Sequence, residues 1–63
     1  MIFIKDKRLK SNLTQVEFAK IVGVAQSTVA EWEAGRSAPL TSKLPQIAEV
    51  LHCTVNDLFK KEE

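Results

Sequence analysis

The sequence predicts an all-α fold of five short helices in one compact domain. Three observations carry that expectation. Apolar residues recur at helical rather than alternating spacing, the two glycines each close an amphipathic stretch, and Thr or Ser stands where helices begin. No strand pattern, internal repeat or low-complexity tract interrupts them.

The first helix is expected from Phe3 to Ser11, with Ile4, Arg8 and Leu9 at helical spacing and Ser11-Asn12 ending it. Thr14 with Glu17 three residues later forms a capping box at the start of the second helix, hydroxyl and carboxylate each satisfying a backbone amide. Val16, Phe18, Ala19, Ile21 and Val22 supply its apolar face, and Gly23 ends it by taking the left-handed conformation at little cost. Val24 re-enters the core. The third helix spans Gln26 to Ala34 with Val29 and Trp32 inward, and Gly35 closes it in the same way. Ala25 stands at its N-cap, without the hydroxyl that Ser or Thr brings there. Pro45 belongs in the first turn of the fourth helix, where its missing amide costs nothing. That helix therefore starts near Ser42 to Leu44, capped by Thr41 or Ser42, with Leu44, Ile47, Ala48, Val50 and Leu51 inward. Thr54 caps a fifth helix with Asp57 at its third position, and Val55, Leu58 and Phe59 form its apolar face before it frays into Lys60-Lys61-Glu62-Glu63.

At 63 residues the chain reads as a single domain, 1–63. A chain of this size buries only about 60% of its unfolded surface, so it leaves little material for a deep enzymatic cleft. An apolar fraction of 44% with 27% charged residues excludes the composition of disorder. One cysteine, Cys53, permits no internal disulfide, and the apolar start MIFI is too short for a signal-peptide core, so a cytoplasmic setting and no membrane contact are expected. Net charge is only +1, but its distribution is uneven: Lys5, Lys7, Arg8, Lys10, Lys20, Arg36 and Lys43 lie in the first two-thirds, while Asp57, Glu62 and Glu63 load the end.

The segment from about 15 to 34 also reads as mechanics. Two helices joined by a tight turn need a small residue where they cross, a glycine at the turn and apolar residues on both inner faces. Ala19, Gly23, and then Phe18, Val22, Val24, Val29 and Trp32 fill those places. The arrangement leaves the start and outer face of the third helix protruding, as a helix that enters a DNA major groove must.

On these residues, and on Arg8-Leu9, "LTQVEFAKIVGV", "QSTVAEWEAGR", Pro39, "LPQIAEVL" and "VNDLF", the chain resembles the Cro/cI-type (XRE-like) helix-turn-helix repressors of phages and bacteria along nearly its whole length. The resemblance implies a lambda-repressor-like five-helix fold that binds double-stranded DNA as a dimer on a two-fold operator, with the third helix as reader. It implies that Gln15 contacts a phosphate and braces Gln26, that Gln26 reads a base, that Ser27, Ala30 and Glu31 occupy neighbouring groove-facing positions, and that Arg8 pairs with Glu33.

The chemistry of the side chains agrees with most of this transfer. A glutamine amide donates and accepts at once and so matches adenine N7 and N6, whereas Glu31 only accepts and suits cytosine N4. Thr28, Arg36, Lys10, Lys20 and Lys43, with backbone amides at the starts of the second and fourth helices, are candidates for phosphate contacts that set register. Taken alone, Gln15 and Gln26 are solvated helix-start residues, and Ser27 and Thr28 are ordinary first-turn residues. Beside a complete helix-turn-helix pattern the DNA reading of the glutamines is preferred. Glu31 is repelled by phosphates and can instead point away or penalise wrong sequences. Trp32, in phase with Val29, belongs to the core.

Other classes have less to stand on. No Ser/His/Asp or Cys/His arrangement supports an enzyme, and adjacent His52 and Cys53 without a second ligand pair support no metal or cofactor site; no small-molecule ligand is expected. His52 falls where the family often has glycine, so backbone strain is expected there. The alternative function is a protein-interaction module of the same fold, an antitoxin or anti-repressor without operator binding, and RNA binding lacks aromatic readers. Dimerisation is expected through Leu58, Phe59 and the Gly35-to-Leu44 loop, weakly in the absence of DNA.

Overall fold

The computed structural model describes residues 2–61. Among them are four α-helices, α1 Lys5–Lys10, α2 Gln15–Val22, α3 Gln26–Ala34 and α4 Leu44–Val50, with 3₁₀ turns at Thr41–Lys43 and Asn56–Phe59 and no strand. The fold is all-α as expected, with four helices rather than five.

The C-terminal end accounts for the difference in number, and the N-terminal end for a later start of α1. Ile2 to Ile4 precede α1 as a non-helical lead-in, with Ile2 and Ile4 buried and Phe3 half-buried between them. The Phe3 amide donates to the Leu58 carbonyl at 2.7 Å, so this lead-in is fastened to the far end of the chain instead of starting a helix. Ile4, Lys7 and Arg8, spaced three and four apart, form the inward side of α1, which turns Leu9 out to 53% exposure against expectation. Lys7, one of the cations in the first two-thirds of the chain, has its stem buried, and its Nζ donates to the Lys60 carbonyl at 3.1 Å. At the other end Thr54 and Asp57 do exchange reciprocal amide-to-side-chain hydrogen bonds, both at 3.1 Å, but the segment they close is a 3₁₀ turn. Glu62 and Glu63 lie outside the described residues.

Helices α2 and α3 obey their local signals. Thr14 accepts from the Glu17 amide at 3.1 Å and its own amide donates to the Glu17 carboxylate at 3.0 Å, a complete capping box. That backbone hydrogen bond from Thr14, with the hydroxyl contact second, holds the Glu17 carboxyl below its ordinary value. Gly23 (φ +85°) and Gly35 (φ +76°) both terminate helices in the left-handed region. Asn12 and His52 take positive φ without being glycine, and the strain expected at His52 is thus present. Ala25 offers α3 no side-chain cap.

Thr41 and Ser42 do not cap α4. Its N-cap is Lys43, because the 3₁₀ turn runs straight into the helix and places Pro45 in its first turn. The side chains that seat α4 under the turn were not foreseen. Lys43 Nζ donates to the Val22 carbonyl at 3.2 Å and Gln46 Nε2 to the Ile21 carbonyl at 3.3 Å, satisfying carbonyls that the end of α2 leaves without helical partners.

The core is Ile2, Ile4, Phe18, Ala19, Val22, Val29, Trp32, Leu44, Ile47, Ala48, Leu51 and Leu58. Val16 and Ile21, expected inward on α2, are half-exposed, because α2 needs only the Phe18–Ala19–Val22 stripe to pack on α3 and α4.

A methyl group at Gly23 meets nothing within 4 Å, so its requirement is conformational rather than steric. Gly23→Ala is expected to destabilise by about 1–2 kcal/mol, and Gly23→Asn by less, in urea unfolding. A loss beyond about 4 kcal/mol would instead indicate a packing constraint.

Candidate nucleic-acid interface

The helical period of α3 sorts its residues into faces. Val29 and Trp32 point into the core, and Gln26, Ser27, Ala30 and Glu31 fall on the opposite side. Gln26, Ser27 and Glu31 are exposed, while Ala30 and Thr28 are half-buried. The four expected base readers thus share one outward surface, and Thr28 lies at its edge.

One edge of that surface is built differently from the rest. Gln26 and Glu33 are seven residues apart, two turns and about 10.5 Å along the axis, and so line the same side of α3. Gln15, first residue of α2, spans the gap. Gln26 Nε2 donates to Gln15 Oε1 at 2.7 Å, and Gln15 Nε2 donates to Glu33 Oε1 at 3.1 Å. Glu33 in turn receives Arg8 Nε at 2.7 Å and Arg8 Nη2 at 3.2 Å, a two-pronged pair whose side chains are only 7% and 6% exposed. Arg8 Nη1 completes the set at the Leu13 carbonyl, 2.7 Å away. The Arg8–Glu33 pair and the bracing of Gln26 by Gln15 are therefore both present, joined in one chain of hydrogen bonds. The link from Gln15 to Glu33 has no counterpart in the sequence reading; both residues were singled out, but for separate roles.

Burial of Glu33 raises its pKa, but hydrogen bonds from Arg8 and Gln15 and the charges of Arg8 and Lys5 outweigh it, leaving the carboxyl below its ordinary value of 4.5. It is an anion at neutral pH, and it only accepts hydrogen bonds.

The candidate phosphate contacts do not form one group. Lys10 at the end of α1, Lys20 on α2 and Arg36 after α3 are exposed. Lys43 is half-buried and committed to the Val22 carbonyl. Since Lys7 and Arg8 are also buried, the surface excess of positive charge is smaller than the sequence suggested.

Leu58 must be withdrawn from the expected dimer surface, since it is fully buried in the core and its carbonyl is taken by Phe3. Phe59 is 52% exposed and Leu40 71%. Phe59 also lines a mainly apolar cleft of about 250 Å³ with Ile2, Ala38, Pro39, Thr41 and Leu44. Among the described residues no group of His, Cys, Asp and Glu is arranged to hold a metal ion, and no helix is long and apolar enough to cross a membrane.

The helix-turn-helix family model matches residues 4–58. Over 60 residues the chain is 38% identical to an HTH-type transcriptional regulator of Archaeoglobus fulgidus, covering 95% of this chain and 84% of that one. It is also 38% identical over 59 residues to the ImmF control region 10 kDa protein of Bacillus phage phi105, covering 94% and 66%. A crystal structure of FeII HppE in complex with substrate contains a similar unit, with a TM-score of 0.80 and 34% identity. The match covers 87% of this chain and 32% of that one, so the likeness concerns about a third of the larger chain.

The depressed pKa of Glu33 fixes the sign of a pH effect. Its ionised form contributes stability that is complete above the unfolded value, near 4.5, and lost as pH falls through the lower folded value. Urea unfolding between pH 7 and 3 is expected to lose this component in Glu33→Gln. Arg8→Met, which strands a buried carboxylate, is expected to cost about 3–5 kcal/mol at neutral pH, a penalty that shrinks as pH falls and the carboxyl takes up a proton.

Proposed function

This chain belongs to the helix-turn-helix family of transcriptional regulators, and from that premise we propose that it is a sequence-specific double-stranded DNA-binding regulator. In this reading it is a repressor that binds a two-fold operator as a dimer, with α3 in the major groove.

The observation that carries the proposal is the Gln26–Gln15 hydrogen bond at the exposed start of α3. A solvated glutamine samples many rotamers and loses that freedom on binding, at a cost of up to about 2 kcal/mol. Gln26 is instead held by a neighbour that is anchored on a buried ion pair, so part of that cost is met in the unbound protein. Such preorganisation suits a residue that reads a base edge. Ser27, Ala30 and Glu31 lie beside it, and the exposed Lys10, Lys20 and Arg36 are the cations proposed to meet phosphates. Gln15, half-buried between α2 and α3, can brace Gln26 and still reach a phosphate at the groove edge.

The dimer surface proposed is the cleft lined by Phe59, Pro39 and Ile2 with the exposed Leu40 nearby. It is small, and DNA assembles the dimer.

A selection from randomised duplex DNA is expected to return a two-fold site, and a gel shift on that site should weaken steeply with salt. Phosphate contacts by Lys10, Lys20 and Arg36 of each protomer correspond to a slope of log affinity against log salt of about −5 for a dimer. No enriched site, together with no binding at low salt, would instead favour a protein-interaction role. Gln26→Ala should cost about 1–3 kcal/mol at one position in each half-site and leave the other positions unchanged. Leu40→Asp with Phe59→Asp should reduce binding to the full site to the level of a single half-site.

A further inference from the structure

The geometry points to Glu33, two turns from Gln26 along the same side of α3 and turned onto Arg8, as the residue that decides which base Gln26 prefers. The inference rests on the reading of Gln26 as a base reader and adds a residue that determines its specificity from a distance.

A glutamine amide can be turned end for end, and the two orientations present opposite hydrogen-bonding patterns. Here the orientation follows from chemistry. Glu33 is an ionised carboxylate that only accepts, so Gln15 must turn its NH₂ toward it, at 3.1 Å. The Gln15 carbonyl oxygen is then left facing Gln26, and Gln26 must answer with its own NH₂, at 2.7 Å. Arg8, donating to both Glu33 oxygens, keeps the carboxylate in place and charged. The direction imposed by a buried anion thus passes through two neutral amides to the protein surface.

The consequence falls on base choice. With one N–H given to Gln15, Gln26 presents a second N–H on the side nearer Gln15 and a carbonyl on the far side. Adenine offers an acceptor, N7, beside a donor, N6, and matches both; guanine offers N7 and O6, two acceptors, and matches only the first. If the chain of hydrogen bonds ran the other way, the Gln26 carbonyl would lie nearest Gln15 and its NH₂ on the far side. In the same docked pose adenine would then be mismatched at both atoms and guanine at one.

Glu33→Gln reverses the direction with almost no change in shape. The new side chain has one oxygen, which Arg8 claims, and its NH₂ then points at Gln15, which must present its carbonyl. Two measurements on the whole chain test this. In the DNA-free protein, the side-chain amide resonances of Gln15 and Gln26 should exchange their hydrogen-bonded signatures in Glu33→Gln. In selection from randomised duplexes, the preference for adenine over guanine at the Gln26 position should fall on the order of 10-fold or more, up to inversion, with other positions unaltered. Gln15→Met, which leaves the Arg8–Glu33 pair in place, keeps the test open if Glu33→Gln does not fold. It cuts the chain, and the adenine preference should fall without inverting. Wild-type base preference retained in a folded Glu33→Gln, or in Gln15→Met, overturns the inference, as do Gln26 amide resonances that ignore Glu33→Gln. A wild-type profile flat at that position, with the resonances still exchanging, would overturn the base-reading role of Gln26 and leave the direction of the hydrogen bonds standing.

Discussion

The buried pair of Arg8 and Glu33 is the constraint on which the rest of this structure depends. It joins α1 to α3, and through Arg8 Nη1 it also fixes the Leu13 carbonyl at the entrance to α2. Its worth does not lie in net stability. Desolvating two charges consumes most of what their attraction returns, and a well-packed apolar pair of similar volume often does as well or better. What an apolar pair lacks is direction. Two carboxylate oxygens and three guanidinium nitrogens can be satisfied in very few arrangements, and once satisfied they leave α1, the Leu13 loop, Gln15 and α3 with one mutual placement. The outward face of α3 is therefore held by polar geometry from behind as well as by Val29 and Trp32 beneath it.

What could be read in the sequence follows the range of the interaction responsible. The ends of α2 and α3 are set by neighbours within four residues, by Thr14 with Glu17 and by Gly23 and Gly35, and they fall where those signals put them. The same is true of the Thr54–Asp57 contact. The element it closes is a 3₁₀ turn, however, because its length is decided by how Leu58 reaches the core and how Phe3 meets the Leu58 carbonyl, 55 residues away in sequence. Phe3 and Ile4, expected to open the first helix, form a non-helical lead-in for the same reason. Val16 and Ile21 belong to a helical stripe wider than the surface available to cover it. Lys7 is the sharpest case: a lysine in a charged run gives no sign that its stem is buried and its ammonium spent on Lys60, since that partner comes from the opposite end of the chain.

The candidate site was legible as a list of residues and illegible as a circuit. Gln15, Gln26, Arg8 and Glu33 can each be picked out by position, but a hydrogen bond between Gln15 and Glu33 depends on the crossing of α2 and α3 to within a few tenths of an ångström. Charge behaves alike. A count of cations near the start of the chain suggested an electrostatic face, whereas folding spends Arg8 on Glu33, Lys7 on Lys60 and Lys43 on the end of α2. The cations that remain exposed are spread over α1, α2, the segment after α3 and the Lys60–Lys61 end, rather than gathered into one field.

Two glutamates two residues apart on α3 show how placement converts one chemistry into two roles. Glu33 lies against Arg8, and its charge is neutralised before any partner arrives. Glu31 is exposed on the outward face, where water solvates it at no cost. A polyanion that approaches this face must strip that water and accept a like charge, and both costs fall on every sequence equally unless a base offers Glu31 a donor in return. Cytosine N4 is such a donor; guanine, with two acceptors on the same edge, is not. In the proposed complex an unpaired carboxylate at this position would weaken binding in general, and least where a base with an amino donor, cytosine or adenine, stands opposite. Discrimination of that kind is obtained by raising the cost of wrong sequences rather than by adding attraction to the right one. Under that proposal a reading face without lysine or arginine would depend on phosphate contacts elsewhere on the protein for the energy of association.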